Sequence, residues 1–354
     1  MKRRILRGIK GVGHGLSNLI LRAIGESLEP RWLMFAVTDR CNSRCRHCDI
    51  WRKEPTKDPL EPKEIERMLS DPLFQKVEYI LNSGGEPTIR DDLEEIFLAE
   101  HEALPKARLQ LSTNGLLPER AIEVVKFSIN HGISIDVGIS VDGIGEKHDF
   151  VRGVKGNFEK VDWLLHELAA MKESYKDKLG IAVGFVLSDL TLPSMEEVRT
   201  YLRKFDIEPL VQWYNEAPFY GNIGENHATE VDNLIKAVES LPCSQLYELW
   251  LRQLRGKSIK IPCFAMYTFC ALHCNGDMVP CLRFWDIKVG NVRQSSPTSI
   301  WHSPEAKKAR RAVKDCQGCL NAWGVGWSLQ SAFYPHVLFF LRHQHAVARS
   351  LRNK

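Results

Sequence analysis

The sequence predicts an α/β fold in which a parallel sheet is followed by a small cysteine-rich domain. Between residues 32 and 215, short β-rich runs alternate with amphipathic helical runs. The ten cysteines fall into two groups, three within residues 41–48 and seven between 243 and 319. The residues of unusual chemistry follow the ends of the strands. Strict alternation of strand and helix implies a parallel sheet with right-handed crossovers. Such a sheet is either a partial barrel or a doubly wound open one, and both gather their chemistry at the carboxyl ends of the strands.

The strands are predicted near 32–38, 77–82, 108–112, 134–140, 181–187 and 209–214. Helices are predicted near 61–70, 91–101, 118–130, 156–173 and 194–205, with start signals such as Pro118-Glu119 and Pro193-Ser194-Met195-Glu196. Cys41 to Cys48 follow the first strand and Ser83-Gly84-Gly85-Glu86-Pro87 the second. Thr113-Asn114-Gly115 follow the third and Ser140-Val141-Asp142-Gly143 the fourth, so all four groups line one rim. After residue 215 come helices near 228–240 and 244–255, then a cysteine-bearing segment with a hairpin signal at Asn275-Gly276-Asp277.

Composition narrows the class. With 354 residues and 44% hydrophobic content, the chain can bury a substantial core. The net charge of +4 is uneven: residues 1–30 carry six Lys/Arg against two Glu, and residues 331–354 carry four Lys/Arg and no acid. A neutral-to-acidic body with basic ends argues against a nucleic-acid partner. The basic start has no uninterrupted apolar stretch or cleavage site behind it, and no run approaches the roughly 18 apolar residues of a membrane span. A cytoplasmic enzyme is expected, in which cysteines serve as metal ligands or buried thiols.

Cys41, Cys45 and Cys48 space three thiols at four and then three residues. A loop of that size wraps three sulfurs around one corner of a cubane and leaves the fourth iron without a protein ligand. This is the iron–sulfur counterpart of an open catalytic metal site. The alternatives for the triplet alone are a zinc knuckle lacking one ligand, or three buried thiols.

From about residue 32 to 215 the sequence resembles the radical S-adenosylmethionine (SAM) enzymes, whose signature is CxxxCxxC after the first barrel strand. The resemblance implies a partial (β/α)6 barrel of TIM type and a catalytic [4Fe–4S] cluster on Cys41, Cys45 and Cys48. It also implies reductive cleavage of SAM to methionine and a 5′-deoxyadenosyl radical that abstracts hydrogen from a substrate carbon. His47 stands where family members often carry an aromatic that meets the adenine. Gly84-Gly85-Glu86-Pro87 looks like the family's GGEP element, which receives the SAM amino group; its glycines let a ligand approach the backbone, and Glu86 offers an anion. Ser140 and Asp142 look like the position that contacts ribose or carboxylate, with Asn114 and Arg152 as further cofactor contacts. The adenine-side backbone contact falls near residues 186–188.

Cys263, Gly276 and Cys281 match the opening of the auxiliary-cluster region known as SPASM, or its short form Twitch, and Cys316-Gln317-Gly318-Cys319 follows. Position 325 is Val and no cysteine follows 319, so one auxiliary [4Fe–4S] cluster is expected, on Cys263, Cys281, Cys316 and Cys319. Cys270 or Cys274 could substitute for one of these, and a zinc ribbon is the alternative chemistry. Cys243 is expected to be a buried thiol.

The domains are expected as a basic amphipathic segment at 1–30, a core barrel at 31–225, a helical connection at 226–258, an auxiliary-cluster domain at 259–325 and a basic apolar tail at 326–354. Trp213, Tyr214 and Asn215 end the sixth strand and either face the substrate or pack the barrel. Asp136 and Asp189 are candidate bases, whereas His14, His227 and His302 have no ligand spacing. The expected partners are an electron donor such as flavodoxin or ferredoxin and a small-molecule or lipid-linked substrate. A peptide is the alternative substrate, disfavoured because residues 1–30 are too short for a leader-binding domain. A non-catalytic zinc-binding interaction protein is the alternative from another class. The apolar positions Leu6, Ile9, Leu16, Leu19, Ile20 and Ile24, with the basic tail, raise peripheral membrane contact as an expectation.

Overall fold

A computed structural model of the chain describes residues 16–25, 27–224, 230–242, 244–257, 262–316 and 321–332. Cys243, Cys319, His14 and His227, Leu6 and Ile9 of the expected apolar stripe, and the tail beyond 332 lie outside the described residues.

A helix at 16–24 (α1) precedes the sheet. Six strands then run in order: β1 (Trp32–Thr38), β2 (Tyr79–Gly84), β3 (Arg108–Thr113), β4 (Ile135–Ser140), β5 (Leu179–Leu187) and β6 (Leu210–Trp213). Between them lie α2 (Pro62–Leu69), α3 (Leu93–Ala103), α4 (Pro118–Asn130), α5 (Glu146–Arg152), α6 (Asn157–Ser174) and α7 (Met195–Leu202). Local chemistry sets several starts. Pro62 follows Glu61, which forms a capping box with Glu64, and Pro118 opens α4.

All six strands are parallel and lie side by side in sequence order. Each crossover therefore steps the same way, which wraps the helices on one face and excludes the doubly wound alternative. The outer face carries Leu33, Phe35 and Val37 of β1 into one core with the helices. The inner face carries Trp32, Met34 and Ala36 into a second cluster. A strand covered on both faces reads as a continuous apolar run, and β1 is buried along its whole length.

After α8 (Val231–Ser240) and α9 (Gln245–Leu254) come β7 (Phe269–His273), β8 (Asp277–Val279) and β9 (Gly290–Asn291), then α10 (Pro297–His302), α11 (Pro304–Asp315) and α12 (Ala322–Ala332). The expected hairpin joins β7 to β8. The structure adds a feature that differs from separate domains at 31–225 and 259–325: β7 pairs parallel with β1, from Trp32 beside Phe269 to Ala36 beside His273. One nine-stranded sheet thus runs β6-β5-β4-β3-β2-β1-β7-β8-β9. Arg293 reinforces the junction through Glu64 at 2.6 Å and Asp58 at 2.8 Å.

Candidate active site

The first cysteine loop is held by the backbones around it. The amide nitrogens of Gly85 and Glu86 donate to the carbonyls of Thr38 and Arg40 at 2.7 and 2.8 Å. A methyl group at Gly85 would sit 2.0 Å from the Arg40 carbonyl oxygen, so this crossing demands glycine. On the other side Arg44 and Arg46 donate to the carbonyls of Arg152 and Val151, at 3.1 and 2.9 Å, and Ser43 Oγ donates to Arg152. Gly153, with a left-handed φ of +68°, lets α5 end against Arg44 where a methyl group would meet its carbonyl at 2.1 Å. Asn222 closes the loop from above, donating through Nδ2 to the carbonyls of His47 and Asn215 at 3.1 Å each.

Cys41, Cys45 and Cys48 all face one cavity of about 220 Å³ at the carboxyl ends of the strands. Burial, reinforced by the neighbouring sulfurs, pushes the Cys41 and Cys48 thiols up to about 12. Such thiols become thiolates at neutral pH only if a cation joins them. Donors already face the sulfurs: Arg152 Nη1 is 3.7 Å from Cys45 Sγ, and Asn114 Nδ2 is 3.9 Å from Cys41 Sγ. Three convergent thiols with hydrogen-bond donors around them fit an iron–sulfur cluster, whose sulfurs take such bonds.

His47, Gly84, Gly85, Asn114, Ser140 and Arg152 line the same cavity, as Trp213, Tyr214 and Asn215 do. The carboxylates of Glu86 and Asp142 are both engaged by groups of the protein itself. The Glu86 carboxylate is 1% exposed and accepts from Thr88 N and Oγ1, Thr113 Oγ1 and the Asn114 amide. It ties β2 to β3, and Glu86 lines the cavity beside Gly84 and Gly85. Pro87 is buried at the start of the turn that follows.

Asp142 likewise lies behind the wall, with no exposed surface. Its Oδ1 accepts from the Val186 amide at 2.9 Å and its Oδ2 meets Arg152 at 2.6 Å, with His47 Nε2 at 3.9 Å. Burial disfavours the carboxylate, but Arg152 and His47 outweigh it and hold the group below the usual range. The expected backbone contact at 186–188 is thus positioned by Asp142. Below it, His148 Nδ1 accepts from the Asp142 amide and Nε2 meets Asn157 Oδ1 at 3.1 Å. Asn157 donates to the Asn114 carbonyl, so a buried polar chain joins β3 to β5. Burial and then Arg152 push His148 down to about 4, which keeps it neutral. Nothing in the local sequence flags His148, Asn157 or Asn222.

Asp136 is withdrawn from the role of base. It is bound to Arg108 at 2.7 Å and accepts from Tyr79 Oη at 3.3 Å, forming the floor of the half-barrel. Asp189 is exposed beyond β5, and His302 is a surface residue.

In the second cysteine group, Cys263 and Cys281 border the inner apolar cluster and line an adjoining cavity of about 60 Å³. Cys316 is half-buried at the end of α11. Cys270 belongs to the core on the helical face of the sheet, and Cys274 lies beside Asp39 and His273. Cys270 nonetheless lines the same cavity as Cys263 and Cys281. Met34, Asn215, Leu282 and Trp323 line both cavities, so one wall separates them.

The radical SAM superfamily model matches residues 35–185, and the SPASM iron–sulfur cluster-binding domain matches residues 263–320. The chain is 38% identical over 128 residues to Fe-coproporphyrin III synthase of Methanosarcina barkeri, which covers 36% of this chain but only 31% of that protein. It is 24% identical to the AdoMet-dependent heme synthase of the same organism, over 82% of this chain and 87% of that protein. SuiB of Streptococcus suis, in its structure bound to precursor peptide SuiA, shares the fold with a TM-score of 0.63 at 18% identity. That alignment covers 86% of this chain and 75% of SuiB.

Half-barrel, cysteine loop and family match together define a radical SAM enzyme. More narrowly, the chain belongs to the radical SAM superfamily as a member carrying a C-terminal SPASM region. The radical SAM domain implies SAM and a [4Fe–4S] cluster, and the SPASM domain implies additional iron–sulfur clusters.

Proposed function

We propose that the chain oxidises a small-molecule or lipid-linked substrate by two electrons, with Cys41, Cys45 and Cys48 holding the catalytic cluster and Cys263, Cys281, Cys316 and Cys319 the auxiliary one. The shared wall between the two cavities supports this reading, because a cluster held by Cys263 and Cys281 would lie beside the cavity that the first three cysteines face. Cys41, Cys45 and Cys48 would hold a cluster that, with SAM and one electron from a flavodoxin- or ferredoxin-type donor, would supply radical chemistry able to remove a substrate hydrogen atom. Cys263, Cys281, Cys316 and Cys319 would hold a second cluster able to accept the electron left on the substrate carbon, and loss of a proton would complete the two-electron oxidation.

The protein's own groups position and enclose. Gly84 and Gly85 present backbone to the SAM amino group, and Arg152 and Ser140 offer a cation and a hydroxyl to its carboxylate and ribose. Gln110, Ser112 and Gln212 give the inner strand face hydrogen-bonding groups for a polar substrate. The similarity to a heme synthase that runs through both domains supports a small molecule.

Production of 5′-deoxyadenosine by the anaerobic, cluster-loaded enzyme tests the substrate class. A low-molecular-weight or lipid extract is expected to stimulate it, and prior protease treatment of the extract should change nothing. Stimulation abolished by protease would instead make the chain a peptide maturase.

A further inference from the structure

α1 faces the wrong way for a helix that merely covers a core. Its polar residues point inward: Asn18 Nδ2 donates to the Ser331 carbonyl at 3.0 Å, and Arg22 Nε to the Cys263 carbonyl at 2.8 Å. The Arg22 guanidinium also lies 5.8 Å from the rings of Phe264 and Tyr267. Only Leu19 among its periodic apolar residues joins the inner cluster. Leu16, Ile20 and Ile24, spaced four apart on one helical stripe, are 61%, 54% and 67% exposed. Burying three such side chains is favourable, so a solvent-facing stripe of them marks a contact surface.

Charge identifies the occupant. Residues 1–15 lead into α1 and carry Lys2, Arg3, Arg4, Arg7 and Lys10. Residues 333–354 follow α12, whose Ser331 is bonded to α1, and carry Arg342, Arg349, Arg352 and Lys354. Neither segment contains an acidic residue. The sequence leading into α1 and following α12 thus supplies nine cations, and cations together with an apolar helical stripe are the combination that seats a helix in the headgroup layer of an anionic bilayer. Nucleic acid would use the cations but not the aliphatic stripe. Among the described residues no helix is long and apolar enough to cross a membrane, so the contact lies in the interface plane.

We propose that the outward face of α1, Leu16, Ile20 and Ile24, docks the enzyme on an anionic membrane surface. Leu16, Ile20 and Ile24 do not line the active-site cavity, so the inference stands whether the substrate is a small molecule or a peptide.

Flotation of the full-length, cluster-loaded protein tests it. The vesicles are phosphatidylcholine alone, or equal parts phosphatidylcholine and phosphatidylglycerol. Recovery with the anionic vesicles is expected to exceed that with neutral ones by about tenfold and to fall as salt rises. Leu16→Glu/Ile20→Glu/Ile24→Glu should lose that recovery by about tenfold at unchanged iron content. If the glutamates lower iron content, Leu16→Ser/Ile20→Ser/Ile24→Ser gives the same comparison with a milder change. Wild type that ignores anionic vesicles, or an iron-replete variant that floats as well as wild type, overturns the proposal. So does a dimer without vesicle binding that dissociates in the variant, because the stripe then joins two copies.

Discussion

Arg152→Met is expected to destabilise the cluster-loaded enzyme by about 3–5 kcal/mol, the cost of leaving one member of a buried ion pair unpaired. Asp142 has no exposed surface, and Arg152 at 2.6 Å is its main cation, with His47 farther away. The guanidinium also faces Cys45 Sγ, so the substitution removes a donor from the cysteine loop together with the counter-charge. Urea unfolding under anaerobic conditions measures the loss. The double variant Asp142→Asn/Arg152→Met should recover part of it, because an amide needs no counter-ion and its oxygen still accepts from Val186. A double variant no more stable than Arg152→Met would mean that the packing of the arginine, and not its charge, supports the wall.

Cys263→Ala/Cys281→Ala is expected to remove about four irons and leave the cleavage of SAM in place, while product formation falls by about a hundredfold or more. The two cysteines line the adjoining cavity and not the one that Cys41, Cys45 and Cys48 face. The substrate radical would still form and would then lack its acceptor. Iron content and 5′-deoxyadenosine separate the steps. Loss of SAM cleavage together with iron from both sites would assign the second group a structural role only.

The repeating core was legible because its signals are local. The alternation of period-two and helical runs located β1 to β6 and their main helices, and Pro118 marked the start of α4 at the residue where it begins. The cysteine spacing and Gly84-Gly85-Glu86-Pro87 were equally local, since each sits within one loop. Long-range pairings were not legible. The parallel pairing of β7 with β1 joins residues far apart in the chain, and within its own segment β7 reads only as one arm of a hairpin. α5 is too short for its periodicity to register, yet its end cradles the cysteine loop. Glu86 and Asp136 show the same limit in the site. Composition places an acid near the rim, but the Thr88, Thr113 and Arg108 groups that claim those acids meet them only on folding. For α1, spacing revealed an apolar stripe without saying that the body binds the opposite side.

Iron, sulfide and 5′-deoxyadenosine, measured for the anaerobically reconstituted wild type and for Cys41→Ala/Cys45→Ala/Cys48→Ala, test the central claim most directly. Two clusters with catalysis at the first predict about eight irons falling to about four, with SAM cleavage abolished. Stoichiometric zinc in the wild type, or SAM cleavage that survives the loss of all three cysteines, would contradict it.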